Sequence, residues 1–170
     1  MPEGVRQLIR ATARSSFVLF LLAFTASAAV RRWPGRFTRW QLANRRQLGL
    51  GFAISHTIHV AAIAGFAWLD PSGFDAATSP GNFVSGGLAY VFIVLMAATS
   101  FDGAVRWLGA RRWRLLHLAG RYFLWIGFLI TFGKRIPMSG GYVLPVAVLL
   151  LALALRLWPQ RRGLELSAAR

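Results

Sequence analysis

Residues 48–69 read LGLGFAISHTIHVAAIAGFAWL. This run of 22 residues carries no lysine, arginine, aspartate or glutamate, and about 20 apolar residues make one helical crossing of a bilayer. A buried strand would end after about eight residues, so the run reads as a membrane helix. Its polar residues, Ser55, His56, Thr57 and His59, fall near the middle. At a spacing of three, the two histidines share a helix face.

Working outward, four more apolar runs stand between basic segments. The chain therefore reads as an all-α integral membrane protein, a bundle of about five transmembrane helices over roughly 10–30, 47–69, 82–100, 113–132 and 141–158. Residues 1–170 then form a single transmembrane domain. The first apolar core is short and needs QLIRATARSS as its helical start, with Arg10 and Arg14 snorkelling to the headgroups. That core, followed by the small-residue string at Ala26–Ala28, imitates a signal peptide. The exported segment would then carry Arg31, Arg32, Arg36, Arg39, Arg45 and Arg46, so an uncleaved span is expected. Pro145, inside the last span, is expected to mark a kink.

The net charge of +15, with 20 basic residues against five acids, has two common readings, nucleic acid or an anionic membrane surface. Here the bases lie in the gaps between apolar runs, which excludes a nucleic-acid-binding face and matches the positive-inside pattern. With loop 31–46 inside, Arg106, Arg111, Arg112 and Arg114 form a second cytoplasmic loop, and Arg156, Arg161, Arg162 and Arg170 lie at a cytoplasmic C-terminus. Outside fall Arg6, Arg10, Arg14, Lys134 and Arg135. The N-terminus is expected out, in the inner membrane of a bacterium. Trp33, Trp40, Trp107, Trp113 and Trp158 gather at the proposed cytoplasmic edge.

The chain has no cysteine, which excludes disulfides, thiolate metal sites, iron–sulfur clusters and covalently attached haem. GLGFAI lies inside a membrane run without a preceding strand, so it reads as helix packing rather than a phosphate loop. The acids Glu3, Asp70, Asp75, Asp102 and Glu165 all stand in loops or tails, too far from His56 and His59 to complete a zinc or copper site. The chain is too short for the inverted repeats of a transporter.

Four residues inside the membrane carry candidate chemistry. His56 and His59 rise about 15 and 20 Å above Arg46 along a helix. Each suits either an interhelical hydrogen bond or an axial bond to haem iron. His117 stands about 5 Å in from Trp113, with Arg121 one turn later on the same face. An arginine at that depth needs a partner: a haem propionate, a lipid phosphate, a quinone oxygen, or water reached by snorkelling.

RRQLGLGFAISHTIH, followed by VLMAATSFDGAVRWLGARRWRLLHLAGRYFLW, resembles the ferric reductase-like transmembrane domain family. Its members include the haem-binding membrane subunit of a bacterial periplasmic methionine sulfoxide reductase system and, more remotely, NADPH oxidases. The resemblance covers about residues 14–132. It implies a membrane electron-transfer component with noncovalent b-type haem, fed by a protein partner that supplies or accepts electrons; the chain's length leaves no room for a nucleotide-binding domain of its own. It makes His59 and His117 candidate ligands of haem iron, His56 an alternate ligand or hydrogen-bond partner, and Arg121 a clamp for a propionate or a quinone. The family's further histidine, after the LH element, falls at Ile130 or Thr131, neither of which can bind iron. The depths of His59 and His117 keep them from one iron, so half of each expected ligand pair is present. The alternative is a haem-free structural or accessory subunit of a membrane complex that has retained the fold.

Overall fold

The computed structural model describes residues 3–159, and every regular element within them is helical. The expected C-terminal arginines Arg161, Arg162 and Arg170, and Glu165, lie outside the described residues. Five helices are long and apolar enough to cross a membrane. Among the described residues they comprise α1 (Glu3–Arg32), α3 (Arg45–Leu69), α5 (Pro80–Ala98), α7 (Ala110–Gly133), which a 3-10 turn extends to a span of Ala110–Met138, and α8 (Val143–Leu157), which makes a span of Gly140–Leu157 with the 3-10 turn before it. Each coincides with one of the five apolar runs, and the chain is an integral membrane protein.

Three short helices lie in the connections: α2 (Arg36–Ala43), α4 (Pro71–Ala77) and α6 (Asp102–Leu108). Pro34 cannot continue α1, and the chain restarts at Gly35, whose N–H donates to Thr38 Oγ1 at 3.0 Å. Asp70 caps α4 by accepting from the Gly73 N–H at 2.9 Å, with Pro71 at the first helical position. Gly109 adopts φ 80°, a conformation costly to any side chain, and so lets α6 stop and α7 begin within one residue. Pro145 sits in the first turn of α8, where its missing N–H would have no partner within the helix.

α1 is the centre of the bundle. Phe20 and Phe24 of α1 meet Phe52 of α3, Ile93 of α5, Leu124 and Trp125 of α7, and Leu149 and Ala152 of α8 in one buried cluster. Trp125 donates to the Leu149 carbonyl at 3.0 Å and ties α7 to α8. α2 folds back on α1, its buried Gln41 donating to the Leu22 carbonyl at 2.7 Å and to Thr25 Oγ1 at 3.0 Å. Large apolar side chains such as Trp68, Val94, Leu144 and Leu151 stay exposed, which a bilayer permits and water would not.

Candidate functional site

Small polar residues hold α1 against α3. Ser55 Oγ lies 2.7 Å from Ser15 Oγ and 3.0 Å from Ser16 Oγ. One turn on, His59 Nδ1 lies 3.0 Å from Thr12 Oγ1. The Thr12 hydroxyl commits its single proton to the Leu8 carbonyl at 2.7 Å, so the network assigns the imidazole Nδ1–H as donor. That tautomer leaves the His59 Nε2 lone pair open, as an iron ligand requires.

The His56 ring packs among Phe52, His59 and Tyr90, with centroids 5.2–5.3 Å apart, and Tyr90 donates to the His56 carbonyl at 2.6 Å. Its Nδ1 is buried without a hydrogen-bond partner among the described residues. Satisfied buried groups are the rule, so an unpartnered imidazole nitrogen in mid-membrane calls for a reason.

His117 occupies another level. Its Nε2 lies 3.1 Å from Thr99 Oγ1 at the end of α5, and its ring stacks on Trp113 with centroids 4.3 Å apart. Trp113 in turn donates to the Thr99 carbonyl at 2.7 Å. His59 is bonded near the start of α1, whereas His117 shares a cavity with Arg45 and Arg46 at the start of α3. The two histidines therefore have separate surroundings, His59 against α1 and His117 in the cavity.

That cavity, of about 850 Å³, is the feature that gathers the chemistry. Its size falls within the roughly 300–1,000 Å³ of ligand pockets. Phe20, Phe24, Phe52, Ile93 and Leu124 form apolar walls. His117, Arg121, Arg45 and Arg156 are among its polar groups, and Arg46, Arg111 and Arg114 also line it. Arg156 donates to the Phe24 carbonyl at 2.5 Å and lies 4.9 Å over the Phe24 ring. Arg45 donates to Ser27 Oγ at 2.8 Å. Arg121 lies 5.7 Å over Tyr122, and its Nε is buried with no partner among the described residues. Among the lining residues the single carboxylate is Asp102, already 3.5 Å from Arg46. The arrangement suits a large, flat, mainly apolar ligand with one or two negative groups.

The donor set fits a single haem. Apolar walls match a macrocycle, His117 offers an imidazole, and the arginines, with one unsatisfied nitrogen, match propionates. Neither His56 nor His59 is in this wall, so the sequence-predicted residues divide into His117 with Arg121 here and His56 with His59 elsewhere. Ile130, half exposed on α7, supplies no donor. Reading by spacing alone left out Arg156 and Arg45, which count as loop charges until the helices converge. The signal that could have found Arg156 is its place before Leu157 and Trp158, still within an apolar run. Among the described residues no three histidine or acidic side chains could hold a bare metal ion.

The family described as ferric reductase like transmembrane component matches residues 10–129. The protein-methionine-sulfoxide reductase heme-binding subunit MsrQ of Polaromonas naphthalenivorans (strain CJ2) is 32% identical over 163 residues, covering 89% of this chain and 69% of the relative. The subunit of the same name from Ralstonia nicotianae (strain ATCC BAA-1114 / GMI1000) is 34% identical over 110 residues, covering 60% of this chain and 48% of the relative. No solved structure matches the chain.

Proposed function

The chain belongs to the family of ferric reductase like transmembrane components, and from that premise we propose that it is a membrane electron-transfer subunit holding one noncovalent b-type haem in the arginine-rich cavity. The observation that carries this reading is the convergence of His117, Arg121, Arg45 and Arg156 on one apolar cavity. A haem there would supply a one-electron couple. His117 would hold its iron, and Arg121 and Arg156 would pair with its propionates; Arg121 would serve a quinone oxygen equally well. His59, with Nε2 open and His56 beside it, is the candidate ligand of any second haem, which the absence of a histidine at Ile130 leaves without the family's partner.

Electrons would pass to or from a protein partner, a reading supported by relatives named as subunits of a reductase. The charge asymmetry of the loops supports an inner-membrane protein with its N-terminus outside and the cavity at the cytoplasmic end.

The test is an absorption spectrum of the detergent-purified protein, oxidised and dithionite-reduced, with a pyridine haemochrome assay. A stoichiometric b-type signal that His117→Ala removes and His59→Ala leaves is the expected result. A colourless protein from haem-supplied cells overturns it and favours the second reading, a haem-free accessory subunit. That reading has its own support, because Thr99 already occupies Nε2 of His117.

A further inference from the structure

On the opposite side of α1 from α3, a groove of about 540 Å³ runs between α1 and α8. Leu22 on one helix and Val148, Leu151 and Leu155 on the other form its walls, and Arg32, Trp33 and Trp158 line its mouth. At about 1.5 Å per residue, the lining from Leu21 to Arg32 extends roughly 16 Å and that from Val148 to Trp158 roughly 15 Å. One leaflet of a bilayer with a hydrocarbon core of about 30 Å has that depth, roughly 15 Å. The groove is thus one leaflet deep, with aromatic and cationic groups where the headgroups begin.

We propose that this groove seats an anionic phospholipid, its acyl chain along Leu151 and Leu155 and its phosphate on Arg32. Charge complementarity selects the occupant. Arg45 and Arg156 spend donors on Ser27 and on the Phe24 carbonyl, whereas the Arg32 guanidinium bonds no acceptor and pairs with no acid among the described residues. It lies 5.3 Å over the Trp33 ring, and both residues line the groove. Basic pockets between transmembrane helices at the cytoplasmic side recognise such headgroups. A haem is excluded, because no histidine, methionine or tyrosine lines the groove to bind iron. The site stands apart from the arginine-rich cavity and does not depend on what that cavity holds.

The experiment reconstitutes the full chain in phosphatidylcholine vesicles containing brominated-acyl phosphatidylglycerol or brominated-acyl phosphatidylcholine, and reads tryptophan quenching. The expected result is a preference of about fivefold for the anionic lipid. Trp158→Phe should remove much of the excess quenching, and Arg32→Gln should abolish the preference while Arg31→Gln keeps it. Equal quenching by both lipids overturns the proposal, as does equal loss in the Arg31 and Arg32 variants, which would mean general surface attraction. Displacement by inorganic phosphate also overturns it, by making the site one for a free anion. So does a disulfide between two chains of Leu151→Cys, which would put a second copy in the groove.

Discussion

Thr99 Oγ1 lies 3.1 Å from His117 Nε2 while donating its own proton to the Leu95 carbonyl at 2.6 Å. The imidazole Nε2–H is therefore the donor, and the nitrogen that would ordinarily bind iron is occupied. Binding haem at His117 must break this bond. A net hydrogen bond is worth about 1 kcal/mol, so Thr99→Val should raise haem affinity about fivefold. Haem titration of the haem-free protein checks this, and an unchanged or weaker affinity would remove His117 Nε2 as the ligand.

The hydroxyl seam between α1 and α3 gives a stability prediction independent of haem. Ser55→Ala deletes the contacts to Ser15 and Ser16 together, and interhelical hydrogen bonds in membranes average about 0.6 kcal/mol each. A loss of about 1 kcal/mol in a detergent unfolding titration is expected. Thr57→Val is the control, since among the described residues the Thr57 hydroxyl bonds only the Ala53 carbonyl of its own helix, at 2.8 Å. A loss of similar size in both variants would refute the role of the seam.

The five spans were legible because a bilayer demands about 20 apolar residues per helix, a signal few other structures imitate. The short helices α2, α4 and α6 were not, since seven or eight residues at an interface need no apolar periodicity. Histidines and Arg121 could be singled out because ionisable groups are rare in hydrocarbon. The cavity itself was illegible. Arg45, Arg121 and Arg156 come from three helices, and Thr12 and Thr99 are ordinary hydroxyls until folding sets them against His59 and His117.

Two glycines of α7 should respond to alanine with opposite sign. A Cβ at Gly120 would run into Met96 Sδ and approach the Phe92 ring at 3.1 Å, because α5 and α7 touch there. Overpacking costs about 1–3 kcal/mol and outweighs the roughly 1 kcal/mol of helix propensity that alanine gains. At Gly127 nothing lies within 4 Å, so only the gain remains. Thermal unfolding should show Gly120→Ala destabilised and Gly127→Ala stabilised; the same sign in both would contradict the close approach.

The absence of cysteine makes the proposed orientation directly testable. Ser72→Cys, in α4 between α3 and α5, should react with a membrane-impermeant maleimide in intact cells. Asn44→Cys, between α2 and α3, should react only after the membrane is opened. The reverse pattern would invert the topology and place the arginine-rich cavity at the outer face.

Arg121 distinguishes a ligand clamp from a structural arginine. Its Nε is buried without a partner, and it shares a cavity with Arg45 and Arg156 that holds one already paired carboxylate. Without an anionic ligand the three guanidiniums repel one another, and a central arginine costs roughly 2.5–3.5 kcal/mol to insert. Access to the cavity relieves part of that, leaving a gain of about 1 kcal/mol for Arg121→Leu in the haem-free protein. The same substitution removes a charge-assisted bond of the kind that holds propionates, so haem affinity should fall about tenfold or more. Stability and affinity thus move in opposite directions. If Arg121→Leu instead destabilises the haem-free protein, Arg121 serves the fold, and the cavity loses its strongest link to an anionic ligand.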